Sequence, residues 1–122
     1  MNFKNLKTWQ IGMQLTETIY NITQKFPKAE LFGLTSQIQR AAVSIPSNIA
    51  EGAARGHTRE YVQFLYQARG SLAEVVTQLE LAKALGYIDE SQKTDACTLA
   101  DELYKMINAT IRTLKSKTEK TH

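Results

Sequence analysis

Five polar residues recur at helical spacing through one stretch of the chain, and their types allow two kinds of chemistry. They are Arg40, Ser44, Asn48, Glu51 and Arg55. Guanidinium groups bind phosphates and carboxylates, because their fork of N–H donors matches the oxygen spacing of those anions. Asn48 and Glu51 lie one helical turn apart, which suits either acid–base chemistry or hydrogen bonds to the backbone and to Arg55. We treat these residues as the first candidates for function.

Pro46 lies in the middle of this stretch and predicts a bend. The apolar residues around it keep helical spacing, but a proline inside a helix removes a backbone donor and crowds the carbonyl of Ala42, which costs about 3 kcal/mol or more. Ser44, Ser47 and Asn48 have side chains that can hydrogen bond to freed backbone groups. We therefore predict a kinked helix that presents the polar residues.

The sequence contains no set of residues that we can assemble into a catalytic or metal site. Di-metal sites in helical bundles need inward-facing Glu-x-x-His pairs, and the only pair here is Glu119 with His122 at the C-terminus. Cys97 lies among small and apolar residues, which favours a packing thiol over a nucleophile. His57 is expected in an exposed turn with no nucleophile beside it. We predict no catalysis, no metal, no cofactor and no small-molecule substrate.

The length indicates a small globular domain, and the charge permits an anionic partner. The chain has 122 residues, 43% of them hydrophobic, and a net charge of +3, which suits one domain. Basic residues outnumber acidic ones in residues 1–60 and 112–122, whereas 61–111 is net acidic. No apolar run approaches the ~20 residues of a membrane span. The N-terminus lacks the apolar core of a signal peptide, so we expect a cytoplasmic protein with no membrane contact.

Apolar residues at helical spacing predict four amphipathic helices joined by short connections. The predicted helices cover residues from about 4 to 25, from between 28 and 35 to about 54, from 58 to 85, and from 89 to about 114. This pattern predicts an all-α fold, an antiparallel up-down-up-down four-helix bundle with a Pro-kinked second helix. We expect one domain over residues 1–122, ordered over about 3–115, with a frayed polar tail at 116–122.

Local signals mark several helix ends and contacts. Gly56 is placed to end the second helix in the left-handed conformation, and the apolar stripe of the third helix ends at Gly86. Thr58 predicts the N-cap of the third helix. Asp89, with Gln92 three residues later, predicts a capping box for the fourth helix. Two further glycines inside helices, Gly12 and Gly70, are expected to admit a neighbouring helix closely.

Several segments together carry a family resemblance. They are residues 3–10, 26–37, 40–55, 70–74 and 79–88. In order and spacing they resemble the small four-helix-bundle proteins encoded in intervening sequences of bacterial 23S ribosomal RNA genes. Relatives of that family include the accessory variability determinant of diversity-generating retroelements. The resemblance covers nearly the whole chain.

The resemblance implies a bundle that assembles into a ring-like homo-oligomer, a pentamer in the retroelement relatives. Those relatives have a basic surface and are thought to engage RNA and a reverse transcriptase. One departure is Gln39, where relatives often carry a second basic residue. Carried over by position, the polar cluster of the family is Arg40, Ser44, Pro46, Asn48, Glu51, Gly52 and Arg55, followed by Arg59.

Two functions follow from these observations and remain open at the sequence level. The first is a non-catalytic, rRNA-associated RNA-binding protein whose basic residues contact phosphates, with no aromatic residues interleaved as a stacking platform. The second is a protein–protein adaptor or scaffold, such as an accessory subunit for a reverse transcriptase, with no direct RNA role. In that case Arg40, Glu51 and Arg55 serve a subunit interface or a protein client.

Overall fold

The computed structural model describes residues 1–120, apart from the side chains of Glu119 and Lys120. Two short 3₁₀ turns, at Asn2–Asn5 and Lys28–Glu30, precede the first and second helices. Residues 1–120 contain no strand, so the all-α prediction is confirmed. The four α-helices are Lys7–Thr23 (α1), Leu34–Ala54 (α2), Thr58–Ala84 (α3) and Glu90–Lys120 (α4).

The four helices pack around one apolar core. Helix α2 contacts α1 and α3, and α4 likewise contacts α1 and α3, an arrangement consistent with a four-helix bundle. Buried residues recur every three or four positions on each helix, as amphipathic packing requires. Burial of each large aliphatic side chain contributes about 1.5–3 kcal/mol. Fully buried members of the core include Leu15, Ile19, Ile38, Ile45, Ile49, Leu65, Leu72, Leu79, Leu103 and Ile107.

Three predicted helix ends are found where local residue chemistry placed them. Gly56 and Gly86 have φ angles of 76° and 79°, the left-handed conformation that glycine adopts without strain. Asp89 and Gln92 form the predicted capping box: the Gln92 backbone N–H donates to Asp89 Oδ1 at 2.8 Å, and the Asp89 N–H donates to Gln92 Oε1 at 3.0 Å. These three boundary predictions are confirmed.

Three boundaries differ from the prediction. Helix α1 begins at Lys7, because residues 2–5 form a 3₁₀ turn. Thr58 is the first residue of α3 and not its N-cap, a position that His57 occupies without a capping side-chain hydrogen bond. Helix α4 continues to Lys120, past the predicted end near Leu114. The last two residues of the predicted frayed tail lie outside the described residues.

Of the two interior glycines, one admits a neighbouring helix and one does not. A Cβ atom built on Gly12 would lie 3.5 Å from Pro46 Cβ, so α1 and α2 approach closely there, as predicted. A Cβ atom on Gly70 would meet nothing within 4 Å. Gly70 is exposed, because it lies on the side of α3 opposite to the core. The predicted close contact at Gly70 is therefore wrong.

Candidate functional site

Helix α2 continues through Pro46, which is buried inside it. Proline has no N–H to offer to the carbonyl of Ala42. The Thr16 hydroxyl, on α1, lies 3.1 Å from that carbonyl oxygen and 2.8 Å from the carbonyl oxygen of Gly12. The single proton of this hydroxyl is shared between the two oxygens, so α1 supplies a shared donor to the carbonyl that the proline leaves without one. The predicted kink at this point stays a prediction.

The polar residues of α2 expected to compensate for Pro46 bond to other backbone groups. Ser44 Oγ donates to the carbonyl of Ala41 at 2.7 Å. Asn48 Nδ2 donates to the carbonyl of Ser44 at 2.7 Å. Neither reaches the carbonyl of Ala42, so the expected local compensation is wrong for that group. Sequence reasoning missed Thr16 because its role depends on how α1 and α2 align.

The outward side of α2 carries a stripe of polar residues that includes four of the five predicted on this helix and adds Ser47, whereas the partly buried Asn48 is not counted in it. We call this stripe the α2 outer face and define it as Arg40, Ser44, Ser47, Glu51 and Arg55. All are exposed except Ser44, which is partly buried. Their spacing of three and four residues places them on one side of the helix. At 1.5 Å per residue, the two arginines lie about 22 Å apart along the helix axis, so they form the two ends of a stripe and not one compact pocket.

The charge of Arg55 is balanced within the chain. Its Nη2 lies 2.7 Å from Glu51 Oε2, which is the ion pair expected at a spacing of four residues. Its guanidinium carbon also lies 5.1 Å from the centre of the Phe64 ring. The hydrogen bond from Arg55 to Glu51 raises the pKa of Arg55 above its usual value. A phosphate that binds Arg55 must therefore compete with Glu51.

Arg40 has a different environment. It is exposed and forms no ion pair with another described residue. Together with Ser36 and Gln39 it borders an open depression between α1 and α2, which Tyr20 and Val43 also line. Arg40 is therefore the residue of the α2 outer face that is best placed to meet an external anion.

Arg59 does not join the α2 outer face. It lies in the first turn of α3 and lines a groove that also includes Val62, Tyr66 and Lys115. That groove lies where the start of α3 meets the last turns of α4. The predicted cluster is thus divided: its other residues follow α2, and Arg59 belongs to the other side of α3.

The alternative of acid–base chemistry by Asn48 and Glu51 gains no support from their contacts. The Asn48 amide donates to a backbone carbonyl, and the Glu51 carboxylate accepts from Arg55. Cys97 is partly buried and packs against the core, as expected, and burial raises the pKa of its thiol. The described residues contain no group of three or more His, Cys, Asp or Glu side chains that could hold a metal ion. The Glu119 and His122 side chains lie outside the described part of the chain.

A second group of basic residues was not identified from the sequence. The Arg69 guanidinium carbon lies 4.9 Å from the centre of the Tyr66 ring, and Lys115 Nζ lies 5.9 Å from the same centre. Arg69 Nη1 donates to Asn108 Oδ1 at 2.9 Å. The sequence order predicted no aromatic residues interleaved with the basic ones as a stacking platform, whereas the structure brings one aromatic ring beside two basic side chains. Only the spacing of Tyr66 and Arg69, three residues apart on α3, was visible in the sequence.

Among the described residues, no helix combines the length and the apolar character that crossing a bilayer requires. No curated protein matches the chain. A crystal structure from Bacteroides thetaiotaomicron, described as a protein with unknown function from the S23 ribosomal protein family, superposes with a TM-score of 0.79. It shares 22% sequence identity, and the match covers 85% of this chain and 97% of that one. At this identity the likeness shows the fold.

The model of one protein family matches residues 4–109, and its description is "23S rRNA-intervening sequence protein". The match takes in α1, α2, α3 and most of α4, including the whole α2 outer face. The chain therefore belongs to the 23S rRNA-intervening sequence protein family.

Proposed function

We propose that the protein is a non-catalytic RNA-binding protein, associated with ribosomal RNA, that uses basic side chains to contact phosphates. The observation that carries this proposal is the exposed Arg40, which has no ion-pair partner among the described residues. The family, whose description names 23S rRNA, supports RNA as the anion. A cytoplasmic location, where ribosomal RNA is met, belongs to the same proposal.

Phosphate contacts of this kind give affinity without sequence recognition. Each neutralised phosphate releases counterions, so the affinity falls as salt rises. Arg40 contributes a charge that is not balanced by a neighbour, whereas Arg55 must exchange Glu51 for a phosphate. Arg40 is therefore the dominant contact on the α2 outer face, and Arg55 is a weaker one.

Oligomerisation belongs to the proposal as well, and the resemblance noted above implies a pentamer. Exposed apolar side chains that line the same depression as Arg40 support contact with another copy: Tyr20 is 43% exposed and Val43 40%. Repeated copies of Arg40 in one assembly would raise the affinity for a long RNA through effective concentration. Light scattering coupled to size-exclusion chromatography should give a multiple of the 13.7 kDa chain mass, and a monomer would refute this part.

An antiparallel up-down order of helices completes the proposal and is supported by contacts between neighbours. The end of α1 meets the start of α2, because Gln39 Nε2 donates to Thr23 Oγ1 at 3.1 Å. Farther along, Gly12 of α1 approaches Pro46 of α2. The missing donor at Pro46 supports a bend in α2 at that turn.

The first prediction tests RNA binding directly. A labelled RNA hairpin should bind the protein at low salt, and the logarithm of the binding constant should fall linearly with the logarithm of salt concentration. Arg40→Glu should weaken binding and reduce the slope by about 0.9 for each phosphate that is no longer neutralised. Lys28→Glu, the same charge change at an exposed residue of the α1–α2 connection, is the matched control and should retain most of the affinity.

Fluorescence anisotropy, measured in titrations at several salt concentrations, gives both the binding constant and the slope of its dependence on salt. Absence of binding at low salt, or an affinity that does not depend on salt, would overturn the proposal. Equal effects of Arg40→Glu and Lys28→Glu would show a general charge effect and remove Arg40 from the site.

A protein scaffold is the second candidate, favoured by the Arg55–Glu51 pair and by apolar side chains at one end of the molecule. Phe32 is 93% exposed, and Leu31 and Leu85 are each 56% exposed, which is typical of protein contact surfaces. The two functions differ in the response to charge reversal at Arg40 and Arg55. Loss of RNA binding with an intact oligomer supports the first function, and collapse of the oligomer supports the second.

A further inference from the structure

Two cationic side chains from different helices lie beside the ring of Tyr66. Arg69, one turn along α3, stacks on the ring at 4.9 Å, and Lys115 of α4 donates from Nζ to the Tyr66 hydroxyl oxygen at 3.2 Å. Asn108 of α4 accepts from Arg69 at 2.9 Å and so fixes the guanidinium. Cation–π contacts of this kind attract each cation to the ring face. Both cations are thus held beside one aromatic group.

These two cations lack an acidic partner among the residues whose side chains are described. Within residues 1–118, no carboxylate forms an ion pair with Arg69 or Lys115. In contrast, Lys83 and Lys93 lie 3.9 and 3.0 Å from the carboxylates of Glu90 and Glu80. Two like charges near one ring repel each other, and an anion placed between them would relieve that repulsion.

Further basic residues lie along the outer side of α4, where Lys105 shares a depression with Asp101 and Glu102. Tyr104, Lys105, Arg112 and Lys115 are exposed, and Tyr104 retains 48% exposure. The α4 residues fall at spacings that keep them on neighbouring turns of one side, over about 16 Å from Tyr104 to Lys115. Basic and aromatic side chains therefore occur together on this surface. We call it the α3–α4 seam and define it as Tyr66, Arg69, Tyr104, Lys105, Arg112 and Lys115.

A groove borders one end of the seam. Tyr66 and Lys115 line it together with Val62 and Arg59, and Glu60 is an acidic residue on its wall. Val62 is buried, and Tyr66 is partly buried. The groove thus offers apolar and aromatic surface next to cations. An occupant needs flat apolar groups as well as negative charge.

We propose that the α3–α4 seam binds single-stranded RNA, with bases against Tyr66 and Tyr104 and phosphates at Arg69, Arg112 and Lys115. This inference rests on the proposed RNA function and assigns it a second surface, apart from the α2 outer face. Unpaired bases supply the flat groups that stack on aromatic rings, whereas the bases of a duplex are already stacked on one another. Sequence-tolerant binding of single strands uses this combination of cations and aromatic rings.

The test is a titration of a labelled oligouridine and of a duplex RNA of equal length. Lys115→Glu should weaken oligouridine binding about tenfold and reduce the salt slope by about 0.7 for each phosphate that is no longer neutralised. Tyr104→Ala, at an exposed position, should weaken it about fivefold or more with little change in slope, because stacking releases no counterions. Tyr66→Leu removes the ring that holds Arg69 and Lys115, so it should also weaken oligouridine binding, with circular dichroism as a check on folding. Lys28→Glu is the charge-matched control.

The outcomes separate this inference from the proposed function. If the unmodified protein binds neither RNA, both fail. If it binds RNA and Arg40→Glu weakens binding, but Lys115→Glu and Tyr104→Ala do not, then the proposed function stands and the seam is not a site. If the seam variants weaken duplex and oligouridine equally, the preference for single strands is wrong.

Discussion

At the scale of single residues, the Thr16 hydroxyl shares its one proton between the carbonyl of Gly12 in its own helix and the carbonyl of Ala42 that Pro46 leaves without a backbone donor. The carbonyl of Ala42 belongs to a fully buried residue, so no water replaces the missing N–H without entering the core. A buried acceptor left without a donor costs about 1–3 kcal/mol. The Thr16 hydroxyl lies 3.1 Å from this oxygen, and it thereby makes a proline tolerable in the middle of α2.

Thr16→Val removes this hydroxyl with almost no change in shape. We expect a loss of about 1–3 kcal/mol in the free energy of unfolding, because the carbonyl of Ala42 is left without a donor. The matched control is Thr18→Val, where the hydroxyl donates only to the carbonyl of Gln14 within the same helix. That substitution should cost much less, because its exposed carbonyl partner keeps access to water. Urea denaturation of both variants measures the difference.

A double-mutant cycle identifies the cause. Pro46→Ala restores an N–H at that position, so the Thr16 hydroxyl should matter much less in its presence. The two substitutions are therefore expected to be strongly non-additive. An equal cost of Thr16→Val in the presence and absence of Pro46 would contradict this account.

At the scale of helices, Gly52 and Gly70 both lie inside a helix, but replacing each with alanine should change the stability in opposite directions. A Cβ atom on Gly52 of α2 would lie 2.7 Å from Phe64 Cβ and 3.2 Å from Tyr61 Cδ1 on α3. Because Phe64 Cβ is fixed to its backbone, α2 and α3 must separate, and overpacking of this kind costs about 1–3 kcal/mol. Gly52→Ala should therefore destabilise the protein despite the better helix propensity of alanine.

Gly70→Ala is the control for that prediction. No atom lies within 4 Å of the added Cβ, so the substitution should stabilise α3 by about 0.5–1 kcal/mol through helix propensity alone. Thermal unfolding of the two variants should show shifts of opposite sign. A loss of stability in Gly70→Ala would mean that Gly70 contacts something beyond the single chain.

The same elements show which features the sequence could predict. Helix ends at Gly56, Gly86 and Asp89 depend on the residue itself and its immediate neighbours, so they were predictable. The role of Thr16 depends on the register between α1 and α2. The meeting of Tyr66 with Lys115, 49 positions apart, depends on the register between α3 and α4. Sequence spacing gives the face of each helix but not which turn of a neighbour it meets, and this is why the α2 outer face was found and the α3–α4 seam was missed.

At the scale of the whole molecule, one hydrogen-bonded pair joins the two connections at one end of the molecule. Glu30 lies between α1 and α2, and Tyr87 lies between α3 and α4. The Tyr87 hydroxyl donates to Glu30 Oε2 at 2.7 Å, and the Leu34 backbone N–H donates to Glu30 Oε1 at 3.2 Å. The Tyr87 ring also packs 5.4 Å from that of Phe26. A single carboxylate thus links both halves of the chain to the start of α2.

This link makes part of the stability depend on pH. The hydrogen bond from Tyr87, and next the one from Leu34, lower the pKa of Glu30 below its usual value of 4.5. A carboxyl group with a lowered pKa in the folded state stabilises the protein above pH 4.5, and that contribution disappears as the pH falls through the folded-state pKa. Tyr87→Phe removes the larger of the two causes. The variant should be less stable than the unmodified protein at pH 7, and the gap should narrow as the pH falls below 4.5.

Urea midpoints measured between pH 7 and pH 3 give this gap directly. Tyr20→Phe is the matched control, because Tyr20 is 43% exposed and its hydroxyl has no hydrogen-bond partner among the described residues. The urea midpoint of Tyr20→Phe should equal that of the unmodified protein at every pH. A gap for Tyr87→Phe that stays constant from pH 7 to pH 3 would show that the hydroxyl acts through something other than the ionised Glu30. A narrowing gap would instead show that the Tyr87 hydroxyl stabilises the protein through the ionised carboxylate of Glu30, which joins the two connections.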